Sequence, residues 1–470
     1  HYRQFILSMR RSGNSTLLRL LAESLENLYV NNYLLKVNDR WQRFIDESAT
    51  WSASPVARQD SFFRQWVQPF LKKENKIFVI VSDALRYEIG EELLSLIRQE
   101  DRFEAELEPM LSMLPSFTQL GMAALMPHKS LALTEDDSGS VLVDGESSQG
   151  TANRSKILLQ AVAPQRGIAL RAEDVVAMNK EECRAFVRDH DVVYIFHNRI
   201  DAVGDKRETE DHVFTAVAES LQELVRLVKK LAAANANNFL VTADHGFIYQ
   251  HRPIEESDYL GSEVAGADIL YRDRRFVLGK GLREDAGLKK FSSEALGLSG
   301  PVEIQIPKSI NRLRLQGSGS RFVHGGASLQ EVVIPVLRIN KKRQSDVVQV
   351  EVDILRGSSS LITSGQLTVN FYQVQAVAEK VQPRQLRAGI YSPTGELISD
   401  RHLLTFDMNS DNPRQREVPV RFVLTRKADE ANGQEVLLRL GEKVGETSHY
   451  REYKSMSYVI RRSFTSDFEF

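Results

Sequence analysis

The fold is decided by residues 76–97, KIFVIVSDALRYEIGEELLSLI. Ile77–Val81 is an unbroken apolar run, which is typical of a strand buried on both faces of a parallel sheet. From Glu88 onward the apolar residues recur at helical spacing, and Asp83 stands at the carboxyl end of the strand. Open α/β sheets bind their ligands in the crevice at that end. Asp83 is therefore either a site residue or a helix N-cap, and local geometry alone slightly favours the cap.

Polar side chains also follow a second predicted strand. The apolar run Val192–Phe196 is followed by Asp201 and Asp205. These carboxylates are four residues apart, which in a loop or helical turn is close enough to hold one cation. Two carboxylates near a glycine are equally typical of an ordinary surface loop, so both interpretations stay open here.

A third predicted strand, Phe239–Thr242, leads directly into the sequence ADHGF. An Asp-His pair at a strand end (Asp244 and His245), beside a glycine that permits close backbone approach, is a favourable arrangement for metal ligands. A lone buried histidine is more often a core residue, but this is the third strand end with polar residues. His324, in RFVHGGASLQEVVIPV, either completes a site or lies in a turn.

A hydroxyl-bearing turn is predicted in residues 111–128, LSMLPSFTQLGMAALMPH. Pro115 should interrupt regular structure and leave Ser116-Phe117-Thr118 in a turn before a buried helix. A hydroxyl that opens a helix lies where backbone N–H groups favour an anion. It is also the ordinary N-cap residue, and taken alone this turn favours the cap.

Taken together, the candidate residues at the strand ends favour a metal centre over an acid/base pair. Four carboxylates in one place would repel one another strongly unless cations were present. Two divalent ions about 3.5–4 Å apart are the usual apparatus of phosphoryl transfer. Neither a Walker-type phosphate loop nor a Gly-x-Gly-x-x-Gly motif occurs, which disfavours NTPase and dinucleotide-binding functions. The set comprises Asp83, Thr118, Asp201, Asp205, Asp244, His245 and His324.

Length and composition predict an ordinary globular protein of two or three domains. The 470 residues exceed the roughly 250–300 residues of a single core. The net charge of −2 marks neither a nucleic-acid coat nor a membrane-surface protein, and the single cysteine, Cys183, suits a reducing compartment. No apolar run approaches the ~20 residues of a membrane span. We expect a cytoplasmic protein without membrane contact and, because the sequence opens on His1, a fragment of a longer protein.

Three segments outside the predicted core have their own character. Residues 1–70 are predicted to be helical, as part of a larger N-terminal domain, and 129–190 to be an insertion in a core spanning 71–340. In 341–470, short strands without helices predict a small β-sandwich. The strand candidates there are Val347–Leu355, Gln366–Phe371, Leu386–Tyr391, Val418–Leu424 and Glu435–Leu440.

Two local basic stretches interrupt the balanced charge. They are typical of solvated faces, and they could alternatively steer an anionic polymer such as DNA toward the site. No helix-turn-helix or zinc-finger signature supports sequence-specific DNA binding. The stretches contain Arg272, Arg274, Arg275, Lys280 and Arg283, and then Lys308, Arg312, Arg314 and Arg321.

Five segments occur in a characteristic order: VSDALRYEIGEEL, LPSFTQLGMAALMP, IFHNRIDAVGD, TADHGFIYQ and FVHGGASLQEVVIPV. In this order they resemble the PglZ family of the alkaline phosphatase superfamily, which includes the PglZ proteins of BREX bacteriophage-defence systems. The resemblance covers about residues 75–340. It implies an α/β fold: an alkaline phosphatase-like core with a mostly parallel sheet between helices, preceded by a helical region and followed by a small β-sandwich.

The resemblance also implies two divalent metal ions. Zinc is the metal expected first. Manganese and magnesium are alternatives, because Asp205 stands where many superfamily members have histidine, and an extra carboxylate favours a harder metal ion. Ser116 stays an alternative nucleophile, and Arg86 is offered as a phosphate contact. One ion would be held by Asp83, Asp244, His245 and the nucleophile Thr118, and the other by Asp201, Asp205 and His324.

The implied function is that of a metal-dependent phosphohydrolase, most simply a phosphodiesterase acting on DNA or a nucleotide, in a BREX-type defence system. Its partners would be other BREX proteins, including the methyltransferase. The alternative is a scaffolding subunit with a vestigial or structural metal site, since neither flanking region carries chemistry. Hydrolysis of a phosphate ester, and the effect of Asp83→Ala on partner capture and protection, separate the two hypotheses.

Overall fold

The computed structural model describes residues 1–12, 18–261, 263–315, 321–445 and 447–462. These residues form two units, each with its own hydrophobic cluster. The first unit combines His1–Ile97 with Phe103–Lys342, and the second combines Arg98–Arg102 with the chain from Arg343 onward. The helical region at the start of the chain therefore belongs to the same unit as the predicted core.

Within the described residues, every α-helix begins in the first unit. This unit also contains shorter 3-10 and π-helical segments. Leu28–Leu35 and Phe63–Val67 are π-helical. The α-helices are α1 (Tyr2–Arg11), α2 (Arg19–Asn27), α3 (Lys36–Glu47), α4 (Gln68–Leu71), α5 (Tyr87–Gln99), α6 (Thr118–Ala124), α7 (Gly150–Val162), α8 (Ala172–Ala177), α9 (Lys180–Asp189), α10 (Ile200–Gly204), α11 (Val213–Ala233) and α12 (Leu329–Val332).

The strands of the first unit form one large sheet and several small ones. They are β1 (Ala57–Arg58), β2 (Ile77–Ser82), β3 (Phe103–Leu111), β4 (Leu131–Leu133), β5 (Val141–Val143), β6 (Glu146–Ser147), β7 (Gly167–Arg171), β8 (Val192–His197), β9 (Asn238–Thr242), β10 (Ile248–Tyr249), β11 (Gly266–Arg272), β12 (Val277–Leu282), β13 (Leu288–Ser292), β14 (Glu303–Pro307), β15 (Phe322–Val323) and β16 (Val333–Lys341).

The large sheet has seven strands in the order β1-β3-β16-β9-β2-β8-β7. Strand β2 runs parallel to both β8 and β9, and β7 runs parallel to β8. Strand β16 is antiparallel to both of its neighbours, β9 and β3. Every residue of β2 and β8 is buried, as the unbroken apolar runs predicted. The predicted α/β core with a mostly parallel sheet is confirmed.

Helix α11 buries the apolar face that the sequence predicted. The prediction placed this helix at His212–Leu231, and the structure has it at Val213–Ala233. Its buried residues recur every three or four positions, because only one side of a surface helix faces the core. They include Val213, Phe214, Val217, Leu221, Leu224, Val225, Val228 and Leu231.

The segment 129–190 contributes to the large sheet as well as to the surface. It begins with the small antiparallel sheet β4-β5-β6 and continues through α7 into β7, the edge strand beside β8. The two helices predicted at Ile157–Ala163 and Met178–Arg188 correspond to α7 and α9. Strand β7 was not predicted, since its five residues lack a clear apolar run.

Several arginines of the predicted basic stretches are buried rather than solvated. Arg274 is 6% exposed, and Arg275 and Arg312 have no exposed surface. For these three residues the expectation of a solvated or DNA-steering face is wrong. The reason is that each finds hydrogen-bond acceptors in the protein: Arg275 donates to Glu331, Arg274 to Asp205, and Arg312 to the main-chain carbonyl of Ile310.

The second unit consists of short strands around one apolar cluster. Side chains from both a three-stranded sheet (β18-β20-β24) and a five-stranded sheet (β19-β26-β25-β22-β23) enter this cluster. The strands are β17 (Val348–Gln349), β18 (Val352–Leu355), β19 (Leu361–Ile362), β20 (Gln366–Gln373), β21 (Val381–Gln382), β22 (Arg384–Tyr391), β23 (His402–Phe406), β24 (Glu417–Val423), β25 (Glu435–Lys443) and β26 (Tyr450–Ile460).

The five strand candidates of this region are matched by β18, β20, β22, β24 and β25, whereas β23 and β26 were not predicted. Strand β26 carries several charged and polar residues, so its alternation is weak. In the part of the chain that the structure describes, no helix has the length and apolar character needed to cross a bilayer.

Candidate metal centre

The register of the large sheet brings Asp83 and Asp244 to the same edge. Val81 of β2 lies opposite Thr242 of β9, so the residues two positions further along leave the sheet together. Both carboxylates are buried, with 2% of Asp83 and none of Asp244 exposed. The carboxyl edge of a parallel sheet is where open α/β folds bind ligands.

Backbone groups fix the Asp244 side chain. Its Oδ1 accepts hydrogen bonds from the backbone N–H groups of Ala84 (3.1 Å) and His245 (2.9 Å). Its main-chain carbonyl accepts a 2.8 Å hydrogen bond from the side-chain amide of Gln59. The other carboxylate oxygen, Oδ2, therefore faces the His245 ring. Gln59 belongs to the N-terminal helical region, in which the sequence revealed no chemistry.

His245 presents one ring nitrogen to both carboxylates. Its Nδ1 is 2.9 Å from the Gly246 carbonyl, which can only accept, so Nδ1 carries the proton and Nε2 keeps its lone pair. Nε2 lies 3.6 Å from Oδ1 of Asp83 and 3.4 Å from Oδ2 of Asp244. A carbonyl that orients the ring in this way is typical of a metal-ligating histidine.

Helix α6 starts at Thr118 and delivers its hydroxyl to this group. Thr118 Oγ1 is 3.1 Å from Nε2 of His245. The close approach of α6 to Asp244 depends on Gly121, because a Cβ atom at this position would lie 2.3 Å from the Asp244 carbonyl oxygen. The hydroxyl of Ser116 instead donates a 2.6 Å hydrogen bond to the Gly326 carbonyl. Of the two hydroxyls considered, the structure places Thr118 beside the cluster.

A second group of ligand atoms shares His245. Asp201 lies in α10, just after β8, and its Oδ1 is 3.5 Å from Nε2 of His324. The His324 and His245 rings stack with centroids 4.1 Å apart. Within each group, Asp83–Asp244–His245 and Asp201–His245–His324, the candidate ligand atoms all lie within 4.8 Å of one another.

Asp205 faces a different partner. Its carboxylate accepts a hydrogen bond from the Arg274 guanidinium, and half of its side chain is exposed. It is not a member of either ligand group among the described residues. Arg274 itself is nearly buried and comes from one of the predicted basic stretches.

The remaining oxygen atoms of the cluster fit a bound cation. Within the described residues, Oδ1 of Asp83, Oδ2 of Asp244 and Oδ1 of Asp201 are buried and have no hydrogen-bond partner. A buried carboxylate oxygen without a partner is costly, because it has lost its water and gained nothing. Carboxylate oxygens and imidazole nitrogens at this spacing suit divalent ions such as zinc or manganese.

The electrostatics of the cluster point the same way. Burial, together with the charges of Asp244 and Asp201, raises the pKa of Asp83 well above its usual value. Burial raises the pKa of Asp201 to about 6, and the neighbouring Asp244 adds to the effect. Burial lowers the pKa of His324 well below its usual value, with His245 and Arg274 acting in the same direction. Cations would relieve the repulsion among the carboxylates.

A cavity of about 450 Å³ opens in front of Asp83 and Thr118. Part of its wall comes from the segment 129–190, through Arg154 of α7 and Arg171 at the end of β7. Neither arginine was predicted as a site residue, because a single arginine in a polar helix forms no motif. Only the chain topology brings them to the wall of this cavity.

Arg86, predicted as a phosphate contact, lines another cavity. That cavity, of about 700 Å³, is shared with Tyr29 and Phe247. The Arg86 guanidinium pairs with Glu88 and lies 5.1 Å from the centre of the Phe247 ring. Arg86 is not part of the lining of the cavity in front of Thr118.

Residues 62–339, more than half of the chain, match the family described as the BREX system PglZ alkaline phosphatase-like domain. The chain is 32% identical to the alkaline phosphatase-like protein PglZ of Bacillus cereus (strain H3081.97), over 477 aligned positions that cover 100% of this chain and 55% of that protein. It is 35% identical to the alkaline phosphatase-like protein BrxZ of Escherichia coli O9:H4 (strain HS), covering 90% of this chain and 50% of that protein. The chain thus spans about half the length of the curated relatives it matches.

Similar solved structures include murine ectonucleotide pyrophosphatase/phosphodiesterase 5, with a TM-score of 0.37 and 12% identity, over 57% of this chain and 88% of that one. A phosphonoacetate hydrolase from Sinorhizobium meliloti 1021 gives a TM-score of 0.35 and 14% identity, over 56% of this chain and 90% of the other. Likenesses at this level do not bear on substrate.

Proposed function

Since the chain belongs to the PglZ family of alkaline phosphatase-like BREX proteins, we propose that it is a metal-dependent phosphohydrolase. We further propose that it acts as a phosphodiesterase on DNA or nucleotides. One observation carries the proposal: the buried, unpartnered carboxylate oxygens of Asp83 and Asp244 lie around His245 Nε2, which contacts the Thr118 hydroxyl. Buried carboxylate oxygens without a partner are costly to the fold, and such a set in a cavity indicates a functional site.

Two ions would be held at the sheet edge. Bound there, they would supply Lewis-acid stabilisation of the negative charge that develops in phosphoryl transfer. For Asp205, the third second-site ligand implied by the family resemblance, coordination would require release from Arg274. The first ion would be held by Asp83, Thr118, Asp244 and His245, and the second by Asp201, His324 and, after such a release, Asp205.

Thr118 is the proposed nucleophile. Its oxygen would form a bond to phosphorus while the ester bond to the leaving alcohol breaks, and its proton would pass to the medium. Water would then cleave the threonine–phosphorus bond and restore the hydroxyl. The chain's own contribution is position: Gly121 permits the approach of α6, and the Nδ1–H group of His245 fixes the ring that faces the hydroxyl.

Hydrolysis of bis(nitrophenyl) phosphate, with a panel of zinc, manganese and magnesium, tests the proposal. We expect wild-type activity with at least one metal, zinc first, and loss of about 10³-fold or more in both Asp83→Ala and Thr118→Ala. Parallel assays with nitrophenyl phosphate distinguish diester from monoester preference. Equal rates in all three proteins would refute the proposed function.

We also propose that the chain acts in the cytoplasm with other BREX proteins, including the methyltransferase. The family description, which names the BREX system, supports a role beside other BREX proteins. The alternative, a scaffolding role with a structural metal site, makes a different prediction. In that case a stably folded Asp83→Ala protein would lose metal and keep both partner capture and phage protection, whereas we expect protection to be lost.

A further inference from the structure

Arg154 is a buried cation in the wall of the cavity that contains Thr118 and Asp83. It lies in the first half of α7, and only 9% of its surface is exposed. Buried arginines in proteins are normally paired with a carboxylate. Arg154 departs from this pattern, and its surroundings indicate why.

Two contacts hold the Arg154 guanidinium in place. Its Nε donates a 2.9 Å hydrogen bond to the Ser148 carbonyl. Its guanidinium carbon lies 4.3 Å from the centre of the Phe196 ring, in a cation–π contact. Among the described residues, no hydrogen bond involves the two terminal nitrogens, Nη1 and Nη2. A side chain fixed in this way pays little further entropy when it binds a ligand.

No carboxylate of the described residues forms an ion pair with Arg154. Burial lowers the pKa of the guanidinium, while the charges of Asp244 and Asp83 act on it from a distance and raise it. With two cations bound, those carboxylates would be neutralised, and the Arg154 charge would be left without compensation. The cavity therefore calls for an anion between Arg154 and the ligand cluster.

We propose that Arg154 binds the non-bridging oxygens of the phosphoryl group that Thr118 attacks. This inference rests on the proposed function and names a substrate-binding residue for it. The terminal nitrogens of an arginine form a planar fork that matches two phosphate oxygens, and such charge-assisted pairs are among the stronger hydrogen bonds. Arg154 also makes the segment 129–190 part of the catalytic site, since α7 supplies the residue.

The same cavity offers a matched control. Arg171 also lines it, but its side chain is exposed at the end of β7. An exposed cation contributes far less to anion binding, because water and salt screen its charge. Arg171→Ala removes one positive charge from the same cavity without removing the buried one.

The test compares Arg154→Ala, Arg154→Lys and Arg171→Ala with the wild type in the zinc-loaded full chain. The first readout is the affinity for inorganic phosphate by calorimetry, which needs no turnover. We expect Arg154→Ala to weaken binding about tenfold or more, Arg154→Lys to weaken it less, and Arg171→Ala to change it by less than about twofold. Metal content and melting temperature are measured on each variant.

The second readout is kcat/KM for bis(nitrophenyl) phosphate. We expect about a 10²-fold loss in Arg154→Ala, with partial recovery when free guanidinium is added. A merely structural arginine would give no such recovery. If Arg154→Ala fails to fold, Arg154→Lys decides, because it keeps the charge and loses the fork.

The outcomes separate the two proposals. Wild-type hydrolysis with unchanged kcat/KM and phosphate affinity in the Arg154 variants would overturn the role of Arg154 and leave the proposed function standing. Absence of hydrolysis with every metal would refute the proposed function, and phosphate affinity would still decide the role of Arg154. Equal phosphate affinity in wild type and Arg154→Ala, or no phosphate binding at all, would overturn the role.

Discussion

Two buried charged clusters lie in the first unit, and they are built in opposite ways. In one, Arg275 and Glu331 have no exposed surface, and each finds its partners in the protein. Arg275 donates hydrogen bonds of 3.0 and 2.7 Å to the two carboxylate oxygens of Glu331. Glu331 also accepts hydrogen bonds from the backbone N–H groups of Gly326 and Ser328. This cluster is complete without a ligand.

The other cluster, at the carboxyl edge of the sheet, has an excess of negative charge. Asp83, Asp244 and Asp201 each keep a buried oxygen that has no partner among the described residues. The pKa values of Glu331 and Asp83 shift in opposite directions for this reason. Burial alone would raise the pKa of Glu331, but the charge and hydrogen bonds of Arg275 lower it overall, whereas the pKa of Asp83 is raised. A buried cluster whose charges are paired within the protein needs no ligand, whereas an unneutralised one indicates a ligand.

The largest effect is expected from breaking the complete cluster. Glu331→Gln leaves the Arg275 charge buried and uncompensated, so we expect the free energy of unfolding to fall by about 3–5 kcal/mol. Urea denaturation measures this. The control is Glu135→Gln, which removes the partner of Lys280 in a solvent-exposed pair and should leave stability unchanged within error. A loss in Glu331→Gln no larger than in the control would contradict the account.

In the cluster of Asp83, Asp244 and Asp201, replacing a carboxylate by its amide should not lower the stability of the fold when metal is absent. Asp83→Asn removes one of several repelling carboxylates, so the chelator-treated variant should melt at or above the temperature of chelator-treated wild type. Zinc at 100–1,000 times the dissociation constant should stabilise the wild type by about 3–4 kcal/mol for each bound ion, and should stabilise the variant less, because the variant keeps the ligands of the second ion only. Calorimetric melting with and without chelator gives both values. A chelator-treated variant that melts well below wild type would show that Asp83 is a structural residue.

Gly121→Ala tests how closely the site is packed. The added Cβ would clash with the Asp244 carbonyl, so α6 must move and carry Thr118 away from His245. We expect a stability loss of about 1–3 kcal/mol, as for overpacked cores, with a larger proportional loss of kcat than of metal affinity. Gly357→Ala, at a position with open space around it and no positive φ, is the control for the loss of a glycine alone. Unchanged kcat in Gly121→Ala would argue against Thr118 as nucleophile.

The smallest effect is expected at Asp205. Because this carboxylate pairs with Arg274 and half of its side chain is exposed, Asp205→Asn should weaken metal affinity by about tenfold or less. Asp201→Asn, four residues away, is the matched comparison and should cost more. Competition titrations with a zinc indicator measure both. Equal losses in the two variants would show that Asp205 leaves Arg274 and ligates the second ion.

The sequence predicted the residues of the unneutralised cluster better than those of the complete one. Asp83, Asp244 and His245 directly follow apolar strands, and the common edge of a parallel sheet then brings them together. Arg275 and Glu331 carry no such local signal. Their pairing depends on contacts between distant segments, and isolated charged residues in a sequence resemble solvated ones.

The same limit applies to Arg154 and to strand β7. Arg154 reaches the cavity only because α7 and β7 pack beside β8, and β7 was itself missed. In the second unit, the alternating strands β20 and β22 were predicted, whereas the polar β26 was not. Local patterns predicted the elements that are strongly apolar, and the rest depended on tertiary contacts.

The most direct test of the two-ion site is an anomalous difference map from crystals of the zinc-loaded chain, measured at the zinc absorption edge. The account predicts two peaks at the carboxyl edge of the sheet, one among Asp83, Asp244, His245 and Thr118, and one beside Asp201 and His324. The same map would show whether Asp205 has left Arg274. A fully loaded crystal without a peak between Asp83 and Asp244, or with zinc bound only elsewhere, would contradict it.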